Sequence, residues 1–463
     1  MTMKSRDPAT ETVWAESAEL DERALAEKLD RAVAAFAGWR QTSFEERGAR
    51  MAKAAEVLDA EREALAGLAV REMGKTIRAA RAEVEKCAWV CRHYAERARG
   101  YLADEPVEVE GKEAFVRYLP IGPVLAVMPW NFPYWQVFRF IAPTLMAGNV
   151  GLLKHASNVP KCALAIEAVL ARAGFPDGVF QTLLVGGPRA QALVGDRRIR
   201  AVSLTGSEGA GMAVGAEAGR HLKRSVLELG GSDAFVVLPS CDLDAAVKSA
   251  VAARTVNNGQ SCIAAKRFIV HAAVYDRFCR GFADALGALK VGDPMAEETD
   301  MGPLATESGL RDVTAQVERL RAAGARVLCG GGTGPRPGYF YPATAIDQIP
   351  RDCPVWREEL FGPVAMIARA RDLDEAIALA NDSDFGLGSS AWTRDPRERA
   401  RLVDELEAGS TFVGGMVVSD PRLPFGGVKR SGYGRELGRH GILEFVNAKT
   451  VVIEGGSSVS VTE

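Results

Sequence analysis

The chain has 463 residues and a formal net charge of -3. That length allows two to four domains of about 150 residues each, and that charge advertises no basic face to nucleic acid. Hydrophobic residues make up 47% and charged residues 25%, which excludes a disordered chain and suits a globular one. No apolar run reaches the roughly 20 residues of a transmembrane helix, so no membrane association is expected. Met1 to Asp7 is polar and carries no signal-peptide core. Asp21 to Ala103 is rich in Ala, Glu, Arg and Leu without proline. Apolar residues such as Leu58, Leu65 and Leu68 recur there at helical spacing, which predicts several amphipathic helices. Val107 and Val109 precede Gly111-Lys112, and Val116 and Tyr118 follow, which predicts a β-hairpin that leaves the body of the domain.

From Ile121 the pattern becomes strand–helix alternation. Buried strands are expected over 124–128, 150–154, 180–185 and 201–204. Helices are expected over 134–145, 159–173 and 209–223, with another ending near Gly195. A second alternation follows Gly231, with strands over 234–238 and 266–270 and helices over 242–257 and 274–289. It continues to Phe412, with apolar positions 373, 376, 377 and 380 on one helical face. Such alternation implies two doubly wound parallel α/β domains, whose ligands sit at the carboxyl ends of the strands. Thr450 to Ile453 is β-rich and is expected to pair with the early hairpin or with another subunit.

Eight cysteines stand at 87, 91, 162, 241, 262, 279, 329 and 353 without a CxxC pair. Neither zinc nor a redox dithiol is expected, and a reducing, cytoplasmic compartment is. Cys262 lies in Asn257-Asn-Gly-Gln-Ser-Cys262-Ile-Ala-Ala265, small and polar residues that predict a tight loop facing a cleft. Upstream, Glu228-Leu-Gly-Gly231 sets a carboxylate before two glycines. A thiol attacks as thiolate, and a carboxylate in a semi-apolar pocket serves as general base for the thiol and then for water. Taken singly, Cys262 reads as a small buried hydrophobe and Glu228 as a strand end. Four loops fall at strand ends of the first half. They are Pro129-Trp130-Asn131-Phe132-Pro133, Lys154-His-Ala-Ser157, Gly186-Gly187 and Thr205-Gly206-Ser207-Glu208-Gly209-Ala210-Gly211. The last sets small residues where a strand turns into a helix, whose N–H groups suit a phosphate. The GxGxxG fingerprint is absent.

Taken in order, these stretches together with Glu358-Glu-Leu-Phe-Gly-Pro363 and Pro424-Phe-Gly-Gly427 resemble the aldehyde dehydrogenase superfamily, from about residue 20 to about 455. Within it the chain looks most like short bacterial succinate semialdehyde dehydrogenases. The resemblance implies a cofactor-binding domain over 1–104, 120–231 and 427–447. It also implies a catalytic domain over 232–426 and an oligomerisation β flap over 105–119 and 448–463, in a homodimer or homotetramer. Cys262 would attack the aldehyde carbon. The Asn131 amide and the Cys262 backbone N–H would hold the oxyanion, and Glu228 would activate the water that hydrolyses the thioester. Pro129, Trp130, Lys154, Ser157, Gly187, Gly206, Ser207, Leu229, Glu359 and Phe361 would hold the cofactor. Ser157 stands where family members that prefer NAD usually carry Glu, so NADP is expected ahead of NAD.

For the substrate, Arg139 on the apolar helix is the expected partner of a remote carboxylate, with Ser419 and Gln136 lining the same tunnel. A structural salt bridge to the facing domain is the other reading of Arg139. The resemblance leaves two alternatives open. A broad aldehyde scavenger would favour an aromatic at 139, and a CoA-acylating enzyme commonly lacks the base at 228.

Overall fold

The computed structural model describes residues 2–334 and 336–454. Its first element is one that a polar N-terminal composition conceals. Thr2–Arg6 (β1) and Val13–Ala18 (β2) pair antiparallel, with Met3 and Ser5 turned inward. The expected helices follow as Glu22–Trp39 (α1), Phe44–Ala60 (α2), Arg62–Met73 (α3) and Ile77–Tyr101 (α4). Asp21, Ser43 and Thr76 each accept the N–H three residues on, caps worth about 1 kcal/mol apiece. Cys87 and Cys91 sit on the buried face of α4, where burial pushes both thiols up. They are core packing.

Glu105–Pro106 (β3) and Lys112–Pro120 (β4) form the expected hairpin. The first sheet then begins with Pro123–Met128 (β5), Val150–His155 (β6), Phe180–Thr182 (β7), Ala201–Thr205 (β8) and Arg224–Glu228 (β9). Trp135–Met146 (α5), Pro160–Arg172 (α6), Gly187–Gly195 (α7) and Glu208–Arg220 (α8) connect them. β7 stops short of 185 because the chain turns toward the N-terminal arm, where the Leu184 carbonyl accepts from Leu20 N–H at 2.9 Å. The second sheet takes Asp233–Val237 (β10), Ala265–His271 (β11), Arg326–Cys329 (β12), Thr344–Asp347 (β13), Val364–Ala370 (β14), Ser389–Trp392 (β16) and Thr411–Val413 (β17). Phe385–Gly386 (β15) pairs separately with Val428–Lys429 (β18). Gly432–Tyr433 (β19) returns to the first sheet, antiparallel to β9.

The strand orders are β19-β9-β8-β5-β6-β7 and β12-β13-β14-β11-β10-β16-β17. Parallel pairs dominate both, the antiparallel strands being β19 and β12 at the edges. Both faces of such sheets are covered, so their strands are near-continuous apolar runs, as in Val124-Leu125-Ala126. Val446–Glu454 (β20) pairs antiparallel with β4 over its whole length, Val446 opposite Pro120 and Glu454 opposite Lys112. The tail thus meets the early hairpin of its own chain. Residues 455–463, part of the expected flap, lie outside the described residues. The register sets Met128 beside His155 and Thr205 beside Glu228. The loops bearing the candidate residues therefore leave one edge of the first sheet, the carboxyl edge where such folds bind ligands. Among the described residues no helix is long and apolar enough to cross a membrane.

Candidate active site at the junction of the two sheets

The helix expected to reach residue 257 ends early. Leu243–Thr255 (α9) gives way to a turn in which Asn257, Asn258 and Gly259 take φ of 55°, 57° and 77°. Asn tolerates this left-handed region better than most side chains, and here both amides hold the turn in place. Asn257 Nδ2 donates to the Asn131 carbonyl at 2.7 Å, and Asn258 Nδ2 donates to the Gly74 and Pro303 carbonyls at 2.9 and 3.0 Å. A Cβ on Gly259 would lie 2.4 Å from the Gly362 carbonyl carbon and Pro363 N, so only glycine fits. Buried Arg254 donates to the Gly259 carbonyl at 2.7 Å, and buried Lys266 donates to the Ser261 and Cys262 carbonyls at 2.7 and 2.6 Å. Cys262 is thereby fixed, half-buried, at the end of a strained turn.

The loop after β5 is held equally firmly. The Glu83 carboxylate of α4 accepts the Tyr134 and Trp135 N–H groups at 2.8 and 2.9 Å, an anion at the amino end of α5 where the helix dipole favours it. Lys75 pairs with Glu83 in the core. His155 sits between the Pro133 and Met128 carbonyls, its Nε2 2.8 Å from Pro133 O and its Nδ1 3.2 Å from Met128 O. Burial pulls it down to about 4, so it stays neutral. Asn131 Nδ2 donates one hydrogen to the Gln260 carbonyl at 3.1 Å. Its amide is thus tethered to the Cys262 loop.

Glu228 ends β9, buried, with neither carboxylate oxygen hydrogen-bonded among the described residues. Burial pushes this carboxyl well above the usual range, and Arg139 opposes the shift. Three glycines make the room. A Cβ on Gly426 would lie 2.7 Å from Glu228 Oε1, one on Gly230 2.5 Å from Glu359 Oε2, and one on Gly231 2.5 Å from the Cys262 carbonyl. Glu359 accepts the Gly231 N–H at 3.1 Å and lies 3.4 Å from Lys266 Nζ. Burial pushes the Cys262 thiol up to about 12, while Lys266 and Arg139 pull the other way.

Cys262 opens into a cavity of about 230 Å³ walled by Phe132, Trp135, Ile263 and Phe425, with Gln136, Arg139, Ser419 and Lys86 also lining it. All three expected substrate residues are therefore at one cavity. The Arg139 charge, however, is engaged. Arg139 ion-pairs with buried Glu436, donates to Thr205 Oγ1 at 3.2 Å and lies over the Phe425 ring at 4.6 Å. The acid comes from the segment that carries β19 back to the first sheet.

The other expected residues line the carboxyl edge. Pro129 and Trp130 follow β5, and Trp130 meets Phe361 edge-to-face at 5.7 Å between centroids. Lys154, near the end of β6, has no ion-pair partner among the described residues, and Ser157 is exposed three positions on. Gly187 opens α7 onto free space, and Gly206 has ordinary clearance. Ser207 caps α8 by accepting the Ala210 N–H at 3.3 Å. The Leu229 side chain is buried, and a Cβ on Gly211 of α8 would lie 2.5 Å from it.

Sequence reasoning missed Lys86, Arg254, Lys266 and Glu436. Only Arg254 and Lys266 left a sign, as cations within Ala-rich or apolar stretches bound for the core. Among the described residues no cluster of three or more His, Cys, Asp or Glu could hold a metal.

Residues 1–451 match the aldehyde dehydrogenase family. The succinate-semialdehyde dehydrogenase (NADP(+)) 1 of Mycobacterium tuberculosis is 57% identical over 458 residues, covering 98% of this chain and all of that protein. A probable succinate-semialdehyde dehydrogenase (NADP(+)) of Synechocystis is 57% identical over 426 residues, 92% of this chain and 94% of that one. The crystal structure of succinic semialdehyde dehydrogenase from Streptococcus pyogenes, in complex with NADP+, superposes with a TM-score of 0.96 at 36% identity, covering 98% of this chain and 100% of that chain. Likeness of this extent takes in both sheets and the cysteine turn between them, and the chain belongs to the aldehyde dehydrogenase family.

Proposed function

We propose that the protein oxidises succinate semialdehyde to succinate with NADP. The observation that carries this reading is the cavity itself, which ends on a fixed thiol and is lined by cations among aromatic walls. Glu228 takes the Cys262 thiol proton and passes it to solvent, and Cys262 Sγ attacks the aldehyde carbon as thiolate. The second N–H of the Asn131 amide, left over from its bond to Gln260, and the Cys262 backbone N–H face the oxyanion that forms. When bound beside Trp130, Glu359 and Phe361, the dinucleotide would supply the acceptor for the hydride of that carbon. Glu228 takes a proton from the water that attacks the resulting thioester, and Cys262 is released as thiol. Retention of this unpaired base favours hydrolysis over transfer to CoA.

The dinucleotide fits the residues present. Among the described residues Lys154 is a cation without an ion-pair partner, Ser157 is an exposed hydroxyl three positions on, and Ser207 opens a helix end at the same edge. These would hold the adenosine end, and Trp130, Glu359 and Phe361 the nicotinamide end. Turnover of succinate semialdehyde and of butanal, each with NADP and NAD and with and without CoA, tests the assignment. An equal rate on both aldehydes would mark a scavenger. Ser157→Glu is expected to lower the NADP:NAD ratio of kcat/KM by about a hundredfold, since like charges at close range cost several kcal/mol. A wild type that already prefers NAD by more than about tenfold would show that Ser157 does not read the ribose phosphate.

The same reading assigns 1–104, 120–231 and 427–447 to cofactor binding, 232–426 to catalysis, and 105–119 with 448–463 to oligomerisation in a cytoplasmic enzyme. Support for the last comes from the β4–β20 arm, which leaves Val107, Val109, Val452 and Ile453 exposed. Sedimentation analysis is expected to give a dimer or tetramer, and paired Val452→Lys and Ile453→Lys substitutions should shift it toward monomer.

A further inference from the structure

Lys266 stands between the cysteine turn and the expected nicotinamide end of the cofactor site. It is the second residue of β11, and its side chain is fully buried. Its Nζ donates to the Ser261 and Cys262 carbonyls at 2.7 and 2.6 Å. On the other side it lies 3.4 Å from Glu359 Oε1, the oxygen that also accepts the Gly231 N–H. The three hydrogens of the ammonium thus meet three acceptors. Glu359 Oε2 has no donor among the described residues. It lies against Gly230, where a Cβ would come within 2.5 Å. Glu359 is therefore anchored through one oxygen and open at the other, with 20% of its side chain exposed.

We infer that Lys266 is the positioning residue that sets the charge felt by the Cys262 sulfur, and that its pairing with Glu359 makes that charge depend on what Glu359 holds. The inference rests on the reading of Glu359 as an acceptor for the nicotinamide ribose. In the free enzyme the Glu359 carboxylate offsets the ammonium. Ribose hydroxyls that donate to Oε2 would draw on that negative charge, and less of the ammonium's field would then be cancelled at the sulfur. Out of water such charges act at a low effective dielectric, which enlarges the effect. Burial holds the thiol high. Of the charges that face it, Lys266 pulls down most, Arg139 also pulls down, and Glu359 and Asp233 push up.

Lys266 itself is faced by Glu359 on the loop before β14, Arg254 on α9, Asp233 on β10 and Cys262 on the turn. Arg254 is engaged by the Gly259 and Val364 carbonyls, and Asp233 accepts the Gly388 N–H at 3.0 Å. Burial lifts Asp233 to about 7, so the ligand is varied at one fixed pH. Arg139, Arg254, Asp233 and the base Glu228 are then common to both arms of the comparison.

The deciding experiment is the rate of Cys262 alkylation by iodoacetamide at fixed alkaline pH, with and without saturating NADPH, read by peptide mass spectrometry. NADPH carries the ribose hydroxyls without the positive ring of NADP. The ratio of the two rates is compared among wild type, Lys266→Gln, Lys266→Met and Glu359→Leu, so that crowding by the cofactor cancels. Alkylation follows the thiolate. Without cofactor, both Lys266 variants should react about tenfold more slowly than wild type, and the wild-type ratio should exceed theirs by about tenfold. Glu359→Leu should react faster than wild type without cofactor. It should also weaken NADPH by about 10- to 100-fold and, at saturation, give the low ratio of the Lys266 variants. Lys266→Gln keeps donors for the carbonyls, so a purely structural role would spare its ratio. If either Lys266 variant binds NADPH and keeps the wild-type ratio, the inference is overturned. If neither folds, Lys266 is a structural support and the inference is again overturned. If Glu359→Leu binds NADPH as the wild type does, the reading of Glu359 falls, and the inference with it.

Discussion

Cys262→Ala should bind NADP as the wild type does and lose kcat on the order of ten-thousandfold or more. The turn that carries the residue is fixed by Asn257, Asn258, Arg254 and Lys266, which all donate to backbone carbonyls. Removing one sulfur atom from this frame should leave the backbone N–H and the Asn131 amide where they are. What disappears is the covalent step. Without it the aldehyde carbon never becomes the tetrahedral alkoxide from which hydride leaves, and no thioester forms. Cofactor binding by fluorescence quenching, read beside kcat, separates this outcome from misfolding. A variant that binds NADP and keeps even about a tenth of kcat would falsify the nucleophile assignment.

Glu228→Gln should give a burst of about one reduced cofactor per site, followed by a steady state about 100- to 10,000-fold slower than wild type. The substitution keeps the shape that Gly426 accommodates, so packing should survive. It removes only the ability to take a proton. Hydrolysis should slow more than acylation, which needs only the thiolate. Intact-mass spectrometry should then show an adduct of substrate size on the protein. The pH dependence carries a sign. Burial raises this carboxyl, and only its ionised form accepts a proton, so wild-type deacylation should fall as pH drops through that raised value. The Gln variant should show no such fall. Absence of both burst and adduct would place Glu228 before hydride transfer, on the thiol alone.

The legible part of this molecule was local. Period-2 and period-3.6 patterns located the helices of the first half and the strands β4 to β8, β10, β11 and β20, but gave no bounds for β12 to β19, and the small polar residues around Cys262 marked a turn. The illegible part lies in pairings between distant residues. Arg139 and Glu436 form one ion pair, yet each taken alone is only a charge in an apolar helix or beside a glycine. Pattern singled out Arg139 as a charge in an apolar helix, and it lines the cavity, but pattern could not show that its charge is already matched. Lys86 is hidden for the opposite reason. It looks like any solvated residue on the polar face of α4, and only the approach of Ser419 and Trp135 removes it from water. The β1–β2 pair was invisible because its inward residues include Ser5, whose partner is the buried Glu72.

The placement of β19 bears on how the protein is made. β9 ends in the candidate base, and among the described residues its free side is closed only by Gly432–Tyr433, after the whole second sheet has been threaded between them. At about 5–20 residues per second, a ribosome needs roughly 10 to 40 s to cover that interval. Throughout it, the nascent chain displays the open edge of β9, an invitation to non-native strand pairing, and leaves Arg139 without Glu436. A ribosome stalled near residue 420 would hold a protein with its nucleophile complete and its base still unfinished.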